Sequence, residues 1–251
     1  MSLGQHLLEL RKRLFVAALA VILGSVAGWF LSDLVLDFLR GPVETIADAG
    51  GRTAELNYSN VTSGFDLKLQ ISVTVGVILS SPVWLYQVWA FVVPALERRE
   101  KLYAIGFVSA ALPLFLAGCA AGTFVLPNIV RVMTGFIAPE DASIIEAKTY
   151  YDFVLKLVLA VGIAFVLPVF LVLLNFVGVV TASQILKGWR VAILVIALFT
   201  AIATPAADIF SMFLLMIPMI ILYFVAAGVA WLHDRRAAKR VAALDAELAA
   251  G

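Results

Sequence analysis

The stretch SSPVWLYQVWAFVVPALERREK, residues 80–101, passes from apolar and aromatic residues to a dense charged cluster. Five of its last six residues are charged. Such a junction is typical of the end of a transmembrane helix, where Lys and Arg anchor the segment at the interface. Basic residues alone suffice for that task, so the two acids in the cluster, Glu97 and Glu100, need a separate explanation.

The composition of the whole chain indicates an integral membrane protein. Of its 251 residues, 63% are hydrophobic and 14% are charged, and the mean hydropathy is +1.04. Soluble domains average about half apolar and about a quarter charged residues. The single cysteine, Cys119, lies in an apolar run, which excludes an intrachain disulfide and a cluster of cysteine ligands.

Six apolar runs predict six transmembrane helices, judged against the ~20 residues that a bilayer span needs. They cover residues 14–32, 67–89, 102–126, 153–176, 190–203 and 209–232, followed by a tail at 233–251. The first run is longer than the apolar region of a cleaved secretory signal, so we interpret it as a retained span. No connection resembles an interdomain linker. Residues 1–251 are therefore predicted to form one all-α membrane domain.

The distribution of basic residues predicts the orientation of these spans. Twelve of the 18 Lys and Arg lie in the two termini and in the second and fourth connections, together with six of the 17 acids. The other connections carry six bases and 11 acids. Because loops rich in Lys and Arg stay in the cytoplasm, both termini are predicted to be cytoplasmic.

The fifth predicted span is short for a bilayer. Its uninterrupted apolar run, 191–203, has 13 residues, or about 20 Å of helix against a hydrocarbon core of ~30 Å. Two explanations fit this length. The membrane is locally thinned, which suits a protein that moves polypeptide, or tilted neighbouring helices cover a short helix.

Four spans carry a proline, which predicts a kink in each helix. Such a kink serves either a concave surface or packing alone. The prolines are Pro82, Pro113, Pro168 and Pro218.

Motifs of catalytic chemistry are absent from the sequence. It contains no GxSxG nucleophile turn, no HExxH zinc pair and no GxxxxGK[ST] phosphate loop, so we predict no enzyme activity, cofactor or metal site. The alternative function is a small-solute or ion transporter. Ion-coupled transporters carry ionisable groups near the midplane, whereas the apolar cores of these six runs have no Asp, Glu, Lys or Arg away from their ends.

Two acids near the predicted cytoplasmic ends differ in their local partners. Glu9 lies in HLLELRKRL, a predicted helix in which Arg13 at i+4 or Lys12 at i+3 pairs with it. Glu100 has no basic residue at i±3 or i±4 and has Glu97 at i−3. An interfacial carboxylate of this kind either is a solvated loop acid or receives a cation from another molecule. Arginine is the best such cation, because its planar fork bonds a carboxylate through two parallel hydrogen bonds.

The segments HLLELRKRL at 6–14 and SSPVWLYQVWAFVVPALERREK at 80–101, with six spans and cytoplasmic termini, resemble the TatC family, the multispanning core of the twin-arginine protein translocase. The resemblance runs over nearly the whole chain up to the tail. It implies a signal-peptide receptor and scaffold that exports folded proteins across the bacterial cytoplasmic membrane, driven by the proton gradient. The implied partners are twin-arginine signal peptides and single-span TatA-type and TatB-type subunits in an oligomeric complex, with no nucleic acid.

The resemblance also implies site residues. In the family, the N-terminal segment and the first cytoplasmic loop bind the paired arginines of a signal peptide, and the matching positions here are Glu9, Arg11, Phe91, Pro94 and Glu100. Pro42 in the first external loop and Asp208 after a Thr-Pro turn match two further functional positions. Many members carry a glutamate in an F-E-x-P pattern in the fourth span, where this chain has Val166. A contact of that glutamate with the single-span subunits is therefore not implied.

Overall fold

The computed structural model describes residues 3–50, 54–58, 60, 62–92, 100–134, 143–204 and 208–250, which are almost entirely helical. The helices are α1 Leu3–Gly50, α2 Ser63–Leu79, α3 Ser81–Val92, α4 Glu100–Thr134, α5 Ala147–Phe176, α6 Ala182–Lys187, α7 Trp189–Ala203 and α8 Ile209–Ala250. Two strands of four residues each, β1 Ala54–Asn57 and β2 Ser143–Glu146, form a parallel pair between connections. The predicted all-α class is confirmed.

Apolar helices lie at all six predicted positions. Among the described residues, α1, α4, α5 and α8 are each long and apolar enough to cross a membrane, and α2 with α3 makes a fifth if this bent pair is one span. α7 has 15 residues and is shorter than a full span, as the sequence indicated. The number of helices that cross the bilayer stays a prediction.

The second predicted span is bent by 60° between α2 and α3, close to the kink predicted at Pro82. Proline has no backbone N–H, so the regular hydrogen-bond ladder stops here. The indole of Trp84 compensates by donating to the carbonyl oxygen of Val77 at 2.9 Å. The other three helices continue through their prolines, which are Pro113 and Pro127 in α4, Pro168 in α5 and Pro218 in α8.

Two antiparallel helix pairs approach closely at glycines. Between α1 and α2, a Cβ added to Gly28 would lie 2.4 Å from the carbonyl oxygen of Ser72. Between α4 and α5, a Cβ on Gly118 would lie 2.8 Å from the carbonyl oxygen of Val161. Small residues allow such backbone contact between membrane helices, so these crossings fix the two hairpins that build the core.

The helix bundle has two chemically different ends, which we call the strand end and the basic end. The strand end contains β1 and β2 and the starts of α2, α5 and α8. Two ion pairs join its helices, Lys68–Asp33 at 3.0 Å and Lys148–Asp66 at 3.1 Å, and a third, Lys156–Asp152, lies within α5. The basic end contains the starts of α1, α4 and α7 and the ends of α3, α5 and α8. The basic end is the one for which the sequence predicts a cytoplasmic location.

Candidate functional site

The first predicted site residue, Glu9, lies near the start of α1 and is bonded to Arg13. Arg13 donates from Nη2 at 2.6 Å and from Nε at 3.1 Å to Oε1 of Glu9, and both side chains are 24% exposed. Of the two local partners that the sequence allowed, the structure selects the one at i+4. The carboxylate of Glu9 is therefore held in place by a charge-assisted pair before any ligand arrives.

Arg13 also joins the N-terminal motif to the second motif. Its Nη1 lies 3.5 Å from Oε1 of Gln87 on α3, a long hydrogen bond that crosses 74 residues of sequence. Sequence reasoning missed Gln87. A signal was present, because Gln87 is the only amide or charged residue between Pro82 and Pro94.

The structure places the backbone of three further residues of the predicted peptide site at the same end. Phe91 is half-buried one helical turn after Gln87, and Arg11 is exposed on α1. Glu100 begins α4, although its side chain lies outside the described part of the chain, and Pro94 lies outside the described residues altogether. α3 packs against α4, with the ring centroids of Trp84 and Phe115 5.3 Å apart.

The two other predicted residues lie at the strand end and are not brought to this site. Pro42 is within α1, and its side chain lies outside the described part. Asp208 is 2% exposed, and its Oδ1 accepts a hydrogen bond at 2.9 Å from the backbone N–H of Ser211 at the start of α8. No described residue donates to its other oxygen, Oδ2. The functional roles of both residues stay predictions.

Val166, which replaces the glutamate of many family members, is part of the core. The residue is 2% exposed and belongs to the main apolar cluster, to which α1–α5 and α8 contribute. A carboxylate at this depth would need a hydrogen-bonding or charged partner. The apolar residue instead packs without one, so the fourth-span position contributes to packing in this chain.

The protein family described as Sec-independent protein translocase protein (TatC) matches residues 5–218 of this sequence. This match covers most of the chain. The chain belongs to the TatC family. Its membership places it in the twin-arginine translocase, a membrane transport system, and its relatives are named as translocase components and not as enzymes.

Relatives and solved structures of the TatC family agree over almost the full length. A TatC protein of Xylanimonas cellulosilytica is 43% identical over 242 residues, which are 96% of this chain and 88% of the relative. The TatCy protein of Bacillus subtilis is 31% identical over 100% of this chain and 96% of its own length. A crystal structure of a twin-arginine translocase receptor, TatC, in DDM has a TM-score of 0.77 at 32% identity and covers 90% of this chain and 99% of that one.

Proposed function

We propose that this chain is the receptor that binds twin-arginine signal peptides, and that it does so at the basic end. The observation that carries the proposal is the bond between Arg13 of α1 and Gln87 of α3, which brings both sequence motifs together. The first motif contributes Glu9 to this end, and the second contains Glu100 together with Glu97, which has a basic residue at i+4 as a possible partner. Two carboxylates set in a basic region suit a pair of guanidinium groups.

The two acids have unequal tasks in this proposal. Glu9 already accepts two hydrogen bonds from Arg13, so an incoming arginine must share or displace that partner. Glu100 has no basic residue at the helical positions i±3 and i±4. An arginine of the peptide therefore gains more from Glu100, and Arg13 acts as a positioning residue that orients Glu9.

The wider role extends this receptor to a scaffold. The chain exports folded proteins across the bacterial cytoplasmic membrane, uses the proton gradient and assembles with TatA-type and TatB-type single-span subunits. Membership of the translocase family supports this role. A further support is the apolar outer surface of the helices, on which large residues such as Phe30 (80% exposed) and Ile202 (76% exposed) are open to lipid or to a partner helix.

A double-mutant cycle on peptide affinity tests the receptor role. Glu100→Gln keeps the size of the side chain and removes its charge, so binding of a twin-arginine peptide to the purified protein in nanodiscs should weaken by about 1.5–3 kcal/mol, the range for hydrogen bonds to charged groups. Glu9→Gln should cost less. Exchange of the two peptide arginines for lysines should weaken binding to the unaltered protein far more than binding to Glu100→Gln, because the paired contact is already lost there.

Additive losses for Glu100→Gln and the arginine exchange would show that Glu100 is a solvated loop acid. A further variant tests Glu9. In an Arg13→Gln background, Glu9 loses its intrahelical partner, so the effect of Glu9→Gln on peptide affinity should increase.

Crosslinking tests where the peptide binds. A photo-crosslinker at Phe91 should capture the peptide, whereas the same group at Phe124, which is 73% exposed towards the strand end, should not.

A further inference from the structure

A cleft of about 620 Å³ opens at the basic end, between α6, the start of α7 and α8. It shares no residue with the predicted peptide site. Its walls combine two bases, two tryptophans, a leucine and a serine: Lys187, Arg190, Trp189, Trp231, Leu186 and Ser183. This mixture of cations and interfacial aromatic residues suits a ligand that is both anionic and amphipathic.

The wall that α6 contributes is fixed by specific bonds. Thr181 and Gln184 form a capping box at the start of α6. The hydroxyl of Tyr223 on α8 donates to the carbonyl oxygen of Ile185 at 2.5 Å, and the backbone N–H of Ala182 donates to Asp234 at 2.8 Å. Because α6 is bonded to α8 at two points, Ala182 and Ile185, the cleft exists before a ligand enters it.

In the part of the chain that the structure describes, the cations of the cleft are not neutralised by an acid. Lys187 and Arg190 are exposed, and no carboxylate of the described residues forms an ion pair with either. Asp234, the only acid in the sequence segments 181–190 and 231–240, is already bonded to Ala182 and Asn175. Those two segments contain six Lys and Arg against this one acid, so the surroundings of the cleft carry a formal charge of +5.

The tryptophans and the outer face of α7 supply the apolar part. Trp189 and Trp231 are 42% and 45% exposed, and the guanidinium of Arg235 lies 5.1 Å from the centroid of the Trp231 ring. From the cleft, a stripe of exposed residues runs along α7 at helical spacing: Val191, Leu194, Val195 and Leu198. An acyl chain fits beside such a stripe.

We propose that this cleft binds the phosphate headgroup of an anionic phospholipid from the leaflet at the basic end. Lys187 and Arg190 contact the phosphate, the two tryptophans flank the glycerol region, and one acyl chain lies along α7. Basic pockets between membrane helices on the cytoplasmic side recognise lipid headgroups through this chemistry. A free phosphate would use the same cations without the apolar stripe, so experiment separates the two sources.

Native mass spectrometry of the detergent-purified protein measures this binding. Phosphatidylglycerol is titrated in parallel with phosphatidylcholine of the same acyl chains. The variant Lys187→Gln/Arg190→Gln should bind phosphatidylglycerol about tenfold to thirtyfold more weakly, since a basic residue near an anionic lipid contributes about 1 kcal/mol and each 1.4 kcal/mol is tenfold. Its binding of phosphatidylcholine should not change.

A control variant, Lys239→Gln/Arg240→Gln, removes the same charge outside the cleft and should change phosphatidylglycerol affinity less than twofold. If the cleft variant does not purify, Ser183→Asp serves instead, because an acid in the first turn of α6 favours the helix and repels the phosphate. Equal affinity for the two lipids, or an equal loss in the control variant, would overturn the proposal. Displacement of phosphatidylglycerol by millimolar inorganic phosphate would assign the cleft to a free anion and overturn the lipid assignment.

Discussion

The strand end and the basic end use their charged residues in opposite ways. At the strand end, Lys68 pairs with Asp33 and Lys148 pairs with Asp66, and each pair connects two different helices. At the basic end, Arg13 is bonded to Glu9, whereas the exposed Lys187 and the neighbouring Arg190 have no acid partner among the described residues. Ion pairs therefore connect helices at the strand end, whereas the cations Lys187 and Arg190 at the basic end are available to bind a ligand.

The exception at the basic end clarifies this difference. Asp234 accepts hydrogen bonds from the backbone N–H of Ala182 and from the amide of Asn175, both within 2.9 Å. Its third contact is with His233 of the same helix, whose Nδ1 lies 3.5 Å from Oδ1, and no described basic residue of α6 or α7 forms an ion pair with it. Asp234 therefore fixes the shape of this end without neutralising its cations. We expect stability at the basic end to depend on this one residue, and stability at the strand end to be shared by several pairs.

The largest effect on stability should come from Asp234→Ala. Loss of the carboxylate removes two hydrogen bonds to a charged, half-exposed group and leaves the Ala182 N–H without its partner, which should cost about 2 kcal/mol of unfolding free energy. Cys119, the single cysteine and buried, reports unfolding through its reaction with a thiol-reactive fluorophore on heating. The exposed tail variant Asp245→Ala is the matched control, and an equal shift in both would remove the special role of Asp234.

Acidification should lower the stability of the protein by a smaller amount. Hydrogen bonding from Ala182 in the first place, and from Asn175, lowers the pKa of the Asp234 carboxyl, which lies beyond the apolar part of α8. A lowered folded-state pKa gives stability that is complete above the ordinary Asp pKa of about 4 and is lost as the pH falls through the folded value. The unfolding temperature, followed by tryptophan fluorescence because thiol labelling is too slow in acid, should therefore decrease below about pH 4, and it should decrease less in Asp234→Asn. If the unaltered protein and Asp234→Asn lost stability identically with pH, the loss could not be assigned to protonation of Asp234.

The smallest effect should come from single ion pairs at the strand end. Lys148 and Asp66 are each about half-exposed, and exposed pairs contribute about 0.2–1 kcal/mol. A double-mutant cycle with Lys148→Met and Asp66→Asn should give a coupling in this range that decreases at high salt. A coupling as large as the Asp234 effect would show that the strand end also depends on one contact.

The sequence predicted the positions of the helices more accurately than their lengths. The apolar runs located all six apolar helical regions, but the first was predicted at 14–32 and α1 covers Leu3–Gly50. Apolar length measures the part of a helix that lipid accepts, whereas the helix itself continues through polar residues until its hydrogen bonding ends. The bend near Pro82 was predictable because proline removes a backbone donor. Its angle of 60° was not, since that depends on how α3 packs.

In the candidate site, too, local sequence predicted some contacts and only the tertiary structure revealed others. Local spacing limited the partner of Glu9 to Lys12 or Arg13, because residues three and four apart on a helix are neighbours, and the structure selects Arg13. The contact between Arg13 and Gln87 is 74 residues apart in sequence, and no local pattern specifies it. Pro94 and the side chain of Glu100 lie outside the described residues, so their parts in the site stay predictions.

The sequence by itself determined that this is a helical membrane protein of the TatC family, because apolar run length, charge bias and two motifs are local properties that survive without a structure. Only the tertiary structure decided which charges are paired across helices and which are left open. Its packing of α6 against α8 also created the cleft lined by Lys187, Arg190 and Trp231. Such features depend on distances between segments far apart in the chain, which are set when glycine crossings and interhelical hydrogen bonds fix the helices together.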